Sequence, residues 1–181
     1  MLNASEPSCH FGIRARKARR GGRAILTRMD DAVLRRCPLF ESLRPEQLRQ
    51  IAGLAQERPV ALGSLLFREG DPGDAMYVLL EGKVRISKLV EGIGEEALAV
   101  LEPGAFFGEM ALIDDAPRSA DARAHTACRL AEIRRDELEQ LLFVDRELAH
   151  DLLWSFCRTL SARLRETNDK IKAFFALSAF H

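Results

Sequence analysis

Apolar positions along the chain change their period twice. Between residues 45 and 55 they recur at helical spacing, with Leu48, Ile51, Ala52, Leu54 and Ala55 on one stripe behind the opening Ser42-Leu43-Arg44-Pro45-Glu46. A shorter helix is expected from Asp30 or Asp31 to Arg36, ended by Pro38. From Val60 the pattern turns strand-like. Leu65-Leu66-Phe67 runs into the turn cluster Glu69-Gly70-Asp71-Pro72-Gly73-Asp74, and Met76 to Leu80 follows as a strand. Glu81-Gly82 turns the chain into an alternating stretch at Val84 and Ile86. Glu91-Gly92-Ile93-Gly94 turns it again into Ala97–Leu101, stopped by Pro103-Gly104. Alternation returns over Ala120–Ala124 and Cys128–Ile133. About eight short strands joined by Gly-rich turns predict a mainly β fold, a β-roll of the jelly-roll type.

The period becomes helical again at Arg135–Leu142 and through one long helix from Glu147 to about Phe175. In that helix Leu153, Phe156, Leu160, Leu164, Thr167, Ile171 and Phe174 recur every three or four residues, an a/d-like seam. The seam predicts packing on the helix's own domain first and on a twin helix second, so a homodimer through residues 147–175 is expected. Trp154 and Phe156 read as core. The organisation expected is a basic, disordered leader over 1–29, the β-roll with its lead-in helices over 30–146, and a lid or dimerisation helix with an apolar tail over 147–181.

Charge sharpens that division. The 181 residues carry 27 Lys+Arg and 27 Asp+Glu, so the whole chain gives no case for a polyanion partner. The balance is uneven. Arg14, Arg16, Lys17, Arg19, Arg20, Arg23 and Arg28 face only Glu6 in the leader, and the rest is mildly acidic. Translation from Met29, just before the organised sequence, is the alternative reading of that leader. Hydrophobic residues at 47% and charged residues at 30% describe a globular chain, and no apolar run approaches the ~18–20 residues of a membrane span. Cys9, Cys37, Cys128 and Cys157 lie far apart, which gives neither a disulfide framework nor metal-ligand spacing, and a reducing cytoplasm is the expected compartment. A jelly-roll metalloenzyme needs clustered histidines on adjacent strands, and only His125 falls in the strand region. No catalytic set and no cofactor are expected.

Residues 104–120 carry the chemistry: Gly-Ala-Phe-Phe-Gly-Glu-Met-Ala-Leu-Ile-Asp-Asp-Ala-Pro-Arg-Ser-Ala. Gly104 and Gly108 let backbone approach a ligand. Glu109-Met110-Ala111-Leu112 makes one helical turn whose first N–H groups lack partners. Pro117 stiffens the approach to Arg118, whose guanidinium can fork onto two phosphate oxygens, and Ser119 adds a hydroxyl donor. Glu109 is an acceptor for a sugar hydroxyl. Donors for a phosphate beside one acceptor for a sugar describe a nucleotide monophosphate site.

This stretch, Phe107-Gly108-Glu109-Met110-Ala111-Leu112-Ile113 and Pro117-Arg118-Ser119-Ala120, resembles the phosphate-binding cassette of cyclic nucleotide-binding domains. Arg68–Asp74, Leu80-Glu81-Gly82-Lys83-Val84 and Cys37-Pro38-Leu39-Phe40 support the resemblance, which covers about residues 34–175. It implies that Arg118 pairs with the cyclic phosphate and that Ser119 donates to the same group. It implies that Glu109 accepts from the ribose 2′-OH while the backbone at Gly108 and Met110–Leu112, including Ala111, lines the pocket. The long helix would close over the base through Thr167 and Asn168. Asp121 departs from the pattern, where many relatives place Thr, Ser or a bulky residue; an acidic side chain there weakens anion binding if it points inward, and strand alternation leaves its facing open because Ser119 and Asp121 share a face. The ten residues from Lys172 to His181 are too few for the helix-turn-helix domain that follows this helix in the catabolite activator.

The expected function is a stand-alone sensor of cyclic AMP or cyclic GMP that moves its C-terminal helix and regulates an unidentified effector protein. A ligand-free interaction module of the same fold and a truncated catabolite-activator-type transcription regulator are the alternatives.

Overall fold

A computed structural model describes residues 31–178; the leader expected over 1–29 and residues 179–181 of the tail lie outside the described residues. In chain order the elements are α1 (Asp31–Leu34), α2 (Pro45–Leu54), β1 (Gln56–Val60), β2 (Leu65–Phe67), β3 (Ala75–Glu81), β4 (Val84–Val90), β5 (Gly94–Leu101), β6 (Phe106–Phe107), α3 (Met110–Ile113), β7 (Asp121–Ala124), β8 (Cys128–Arg134), α4 (Arg135–Val144) and α5 (Arg146–Ser178). The strands form two four-stranded antiparallel sheets, ordered β1-β8-β3-β6 and β2-β7-β4-β5. This is the β-roll with flanking helices that the alternation predicts.

Two apolar clusters share the first sheet between them. Ala75, Tyr77 and Leu79 of β3 point into the roll with Phe107, Ala122, Ala124 and Leu130. Met76 and Val78 point the other way, onto a helical layer of Leu34, Phe40, Leu48, Ile51, Leu148, Leu152 and Phe156. β3 is therefore buried on both faces, which is why its apolar run is continuous rather than alternating. Adjacent Phe106 and Phe107 of β6 divide the same way, one into each cluster.

Two strands lie where none was expected. β1 reads Gln-Glu-Arg-Pro-Val, polar and interrupted by Pro59, yet all five residues pair with β8. It is an edge strand, the position in a sheet that tolerates proline. β6 has only two residues, too short to show a period.

The long helix also departs from its single expected seam. At 33 residues, α5 is about 50 Å long. Phe156 is buried edge-on against Phe106, Leu160 is half-buried, and Leu153, Leu164 and Ile171 are exposed. Trp154 is exposed rather than core, its indole N–H donating 3.1 Å to His150 Nε2. The base of α5 is tied to the N-terminal helices by Ser42 Oγ to Ser155 Oγ at 2.8 Å and by Gln47 Nε2 donating 2.9 Å to Asp151 Oδ2. Gln47 also accepts from the Arg44 N–H at 2.8 Å and so closes the start of α2.

Candidate functional site

The loop after β2 and the segment before β7 are stitched together by backbone. Gly70, at φ +86°, donates its N–H to Arg118 O at 2.9 Å, and the Arg118 N–H donates to Asp71 O at 2.8 Å. Asp71 accepts from the Arg68 N–H and Asp121 from the Glu69 N–H, at 2.8 and 2.7 Å. The carboxylate of Asp121 is thus spent on the loop. The facing of Asp121, which the sequence leaves open, is set by that bond to the loop backbone.

This bracing fixes where Arg118 points. Its side chain enters the roll and is 4% exposed. Nη1 donates to Gly108 O and Nη2 to Ala75 O, both at 2.7 Å, and the guanidinium lies over the Phe67 ring at 4.3 Å. Asp74 Oδ1 is 3.5 Å from Nη2, but that carboxylate is mostly exposed. Nε is buried and has no hydrogen-bond partner. A buried cation held by carbonyls, with one donor unpaired and a weak counter-charge, is electrostatically incomplete. Tyr77 stacks on Phe107 in the core of the roll, its ring centroid 6.0 Å from Arg118 Cζ, and burial holds its phenol above its ordinary range.

Glu109 is the second buried charge, 2% exposed, just before α3. Its partner is Arg163 of α5, which also donates 3.0 Å to Phe106 O and lies 4.6 Å over the Phe106 ring. One arginine therefore clamps the long helix onto the cassette. Nearby Cys37 is buried in the helical layer, and that burial pushes its thiol up to about 12.

A cavity of about 550 Å³ opens between the roll and α5. Gly108, Glu109, Met110, Arg118, Ser119 and Thr167 all line it. Ser119 is exposed, and its hydroxyl reaches Met110 Sδ at 3.8 Å. Thr167 donates its hydroxyl to Arg163 O at 2.9 Å. Ala111 lies in the backbone of α3. Asn168 is exposed and does not line the cavity, since it sits about 100° around the helix from Thr167. Arg163, Glu166 and Lys170 take its place on the cavity face. Sequence reasoning missed these three. A usable signal was their i, i+3, i+4, i+7 spacing through Thr167. Ile86, Leu98, Ala99 and Leu101 of the second sheet supply an apolar wall.

The site thus offers donors at one end, a buried acceptor beside them, and an apolar slot covered by a helix. A family model described as the cyclic nucleotide-binding domain matches residues 57–145. The solved cyclic nucleotide-binding domain from Methylobacillus flagellatus is 30% identical, with a TM-score of 0.71 over 78% of this chain and 83% of that one. This chain belongs to the cyclic nucleotide-binding domain family. Among proteins similar to it are the CRP-like cAMP-activated global transcriptional regulator of Mycobacterium tuberculosis, 30% identical over 141 residues, and the cAMP-dependent protein kinase regulatory subunit of Emericella nidulans, 39% identical over 115. Those alignments take in 78% and 64% of this chain, which spans 61% of the mycobacterial regulator and 27% of the kinase subunit. Both of these relatives are regulatory proteins by name, one of transcription and one of a protein kinase. Among the described residues no group of three His, Cys, Asp or Glu side chains is placed to hold a metal ion, and no helix is long and apolar enough to cross a membrane.

Proposed function

We propose that this chain binds cyclic AMP or cyclic GMP in the cavity between the roll and α5, and that occupancy is transmitted to α5. The observation that carries the reading is Arg118, a buried cation on the cavity wall whose Nε is unpaired. A cyclic phosphate supplies both the missing acceptor and the missing negative charge. Ser119 donates to the same phosphate, and backbone at Gly108 and Met110 to Leu112 lines the pocket around it. Glu109 accepts from the ribose 2′-OH.

The coupling follows from who already holds Glu109. In the described structure its carboxylate is engaged by Arg163 of α5. A ribose hydroxyl draws on the same carboxylate, so the ligand and the helix bear on one group. Ligand binding shifts the balance between positions of α5 as far as it changes that shared contact. In this scheme residues 30–146 hold the ligand and 147–181 act as lid and as interface to an effector protein.

The outward face of α5 supports a homodimer. His150, Trp154, Cys157, Ser161, Leu164, Asn168, Ile171 and Phe175 follow one another at intervals of three or four, and every one is exposed. That is the spacing of a two-helix seam, with a polar Asn168 of the kind that fixes register. A second copy of the same helix is its occupant.

Calorimetry of the purified chain with cyclic AMP and cyclic GMP tests the binding, paired with thermal unfolding. At ligand about 100-fold above Kd, linkage adds roughly 2.7 kcal/mol. For a chain of this size that raises Tm by roughly 5–10 °C. No heat and no shift at millimolar ligand overturns the reading and leaves the ligand-free interaction module.

A further inference from the structure

We infer that Met110 is an oxidation site that controls the phosphate end of the cavity: converted to the sulfoxide, its side chain takes the Ser119 hydroxyl and closes that end to a cyclic phosphate. The inference rests on the binding reading above and adds a redox regulation to it. Met110 is the first residue of α3 and lines the cavity with Gly108, Arg118 and Ser119. It is 45% exposed, and its sulfur lies 3.8 Å from Ser119 Oγ, whose hydroxyl donates toward it. Of the four methionines, Met76 is fully buried in the helical layer, and Met1 and Met29 lie outside the described residues. Among the described residues, Met110 is therefore the methionine that a peroxide in solvent reaches.

The step is an oxygen transfer. A sulfur lone pair attacks one oxygen of hydrogen peroxide, and the S–O bond forms as the O–O bond breaks. The proton of the transferred hydroxyl passes to the departing hydroxide, which leaves as water. Sulfur loses two electrons and the peroxide gains two. A thioether is a weak acceptor, so a phosphate oxygen displaces it from Ser119. The sulfoxide oxygen is a polar acceptor one bond beyond the sulfur. It bonds the Ser119 hydroxyl in place of the phosphate, and it sets a partial negative charge where the phosphate oxygens gather. The unbranched, flexible side chain lets that oxygen follow the hydroxyl. The exclusion works in both directions: a phosphate seated on Ser119 covers the sulfur, so ligand slows its oxidation.

The experiment treats the full chain with hydrogen peroxide and then with dithiothreitol, which restores cysteine disulfides and sulfenic acids but leaves methionine sulfoxide. Mass spectrometry of the Met110 peptide follows the gain of one oxygen. Kd for cyclic AMP and cyclic GMP is measured before treatment, after it, and after repair by methionine sulfoxide reductases, with thermal unfolding to confirm an intact fold. Oxidation should weaken both nucleotides by about fivefold or more, the equivalent of one lost hydrogen bond, and repair should restore them. Saturating nucleotide should slow the oxygen gain at Met110. In Met110→Leu, whatever its own affinity, peroxide should leave Kd where it was. An untreated chain that binds, and still binds within twofold once Met110 is fully oxidised, overturns the inference and leaves the binding reading intact. A loss of affinity that peroxide also causes in Met110→Leu overturns it as well, because another residue is then responsible. An untreated chain that binds neither nucleotide overturns both.

Discussion

Gly108→Ala tests the geometry on which the phosphate site depends. Gly108 has φ +75°, and a Cβ built on it falls 2.6 Å from Arg118 Nη1, 3.4 Å from Ala75 O and 3.5 Å from Arg118 Cζ. An ordinary contact needs about 3.5 Å or more, so the guanidinium must retreat by roughly 1 Å. It has little freedom to do so, with its two Nη atoms each 2.7 Å from a backbone carbonyl and its plane over Phe67. A left-handed backbone costs an alanine about 1–2 kcal/mol. Losing one charge-assisted bond adds about 1.5–3 kcal/mol, and the stiffer unfolded chain returns about 0.4–1 kcal/mol. The net is about 2–4 kcal/mol, or a fall in Tm of about 5–15 °C. Because the displaced group is the proposed phosphate ligand, Kd for a cyclic nucleotide should also rise at least tenfold, about 1.4 kcal/mol. Gly53→Ala is the control. Gly53 lies in α2 with nothing within 4 Å of its added Cβ, and the same change there should stabilise by about 0.5–1 kcal/mol. The assay is thermal unfolding and fluorescent-nucleotide binding on both variants. A Gly108→Ala protein that melts within 2 °C of wild type and binds within twofold refutes the argument, because the guanidinium would then not be where its carbonyl bonds hold it.

Arg118→Met should cost at least 100-fold in nucleotide affinity while Tm moves by no more than about 5 °C. The two lost bonds, about 1.5–3 kcal/mol each, are offset by relief of a desolvated cation, and retained affinity in calorimetry would contradict the assignment. Burial pushes the Cys37 thiol from 9.0 to about 12, so between those values the unfolded chain holds fewer protons than the native one and stability falls as pH rises. Urea unfolding at pH 8 and pH 10.5 should show that loss in the wild type and a smaller one in Cys37→Ala, and equal losses would refute it. In a parallel, in-register pair of α5 helices, exposed Cys157 meets its twin. Mild oxidation in a Cys9→Ser background should then give a disulfide-linked dimer that Cys157→Ser abolishes, and a chain that stays monomeric on non-reducing gels counts against the seam.

How far the sequence reaches depends on whether a residue's role is set locally. Gly108, Glu109, Arg118 and Ser119 fall within twelve residues, and each brings a chemistry that its type alone implies. Reading them together needed no knowledge of the fold, and the structure gathers them on one cavity. Met76 to Leu80 was recognisable for the opposite reason: burial on both faces left a plain apolar run. β1 was hidden because an edge strand need not be apolar and can hold Pro59. Arg163 was hidden because its partner is 54 positions away in sequence. In a helix crowded with charges, only its helical spacing with Glu166, Thr167 and Lys170 marks the face it shares with them.

The seam on α5 shows the physical limit most clearly. This helix serves two surfaces. Phe156, Leu160, Arg163 and Thr167 turn toward the roll, while Trp154, Cys157, Leu164, Asn168 and Ile171 turn outward. Each surface has its own three-four spacing. A single seam drawn through Leu153, Phe156, Leu160, Leu164, Thr167 and Ile171 takes members from both, because hydrophobicity alone cannot say which neighbour an apolar residue faces. The polar residues carry that information. Thr167 and Lys170 fall on the cavity side and Asn168 does not, so helix phase, fixed by the Arg163 clamp, decides which of two adjacent side chains meets a ligand.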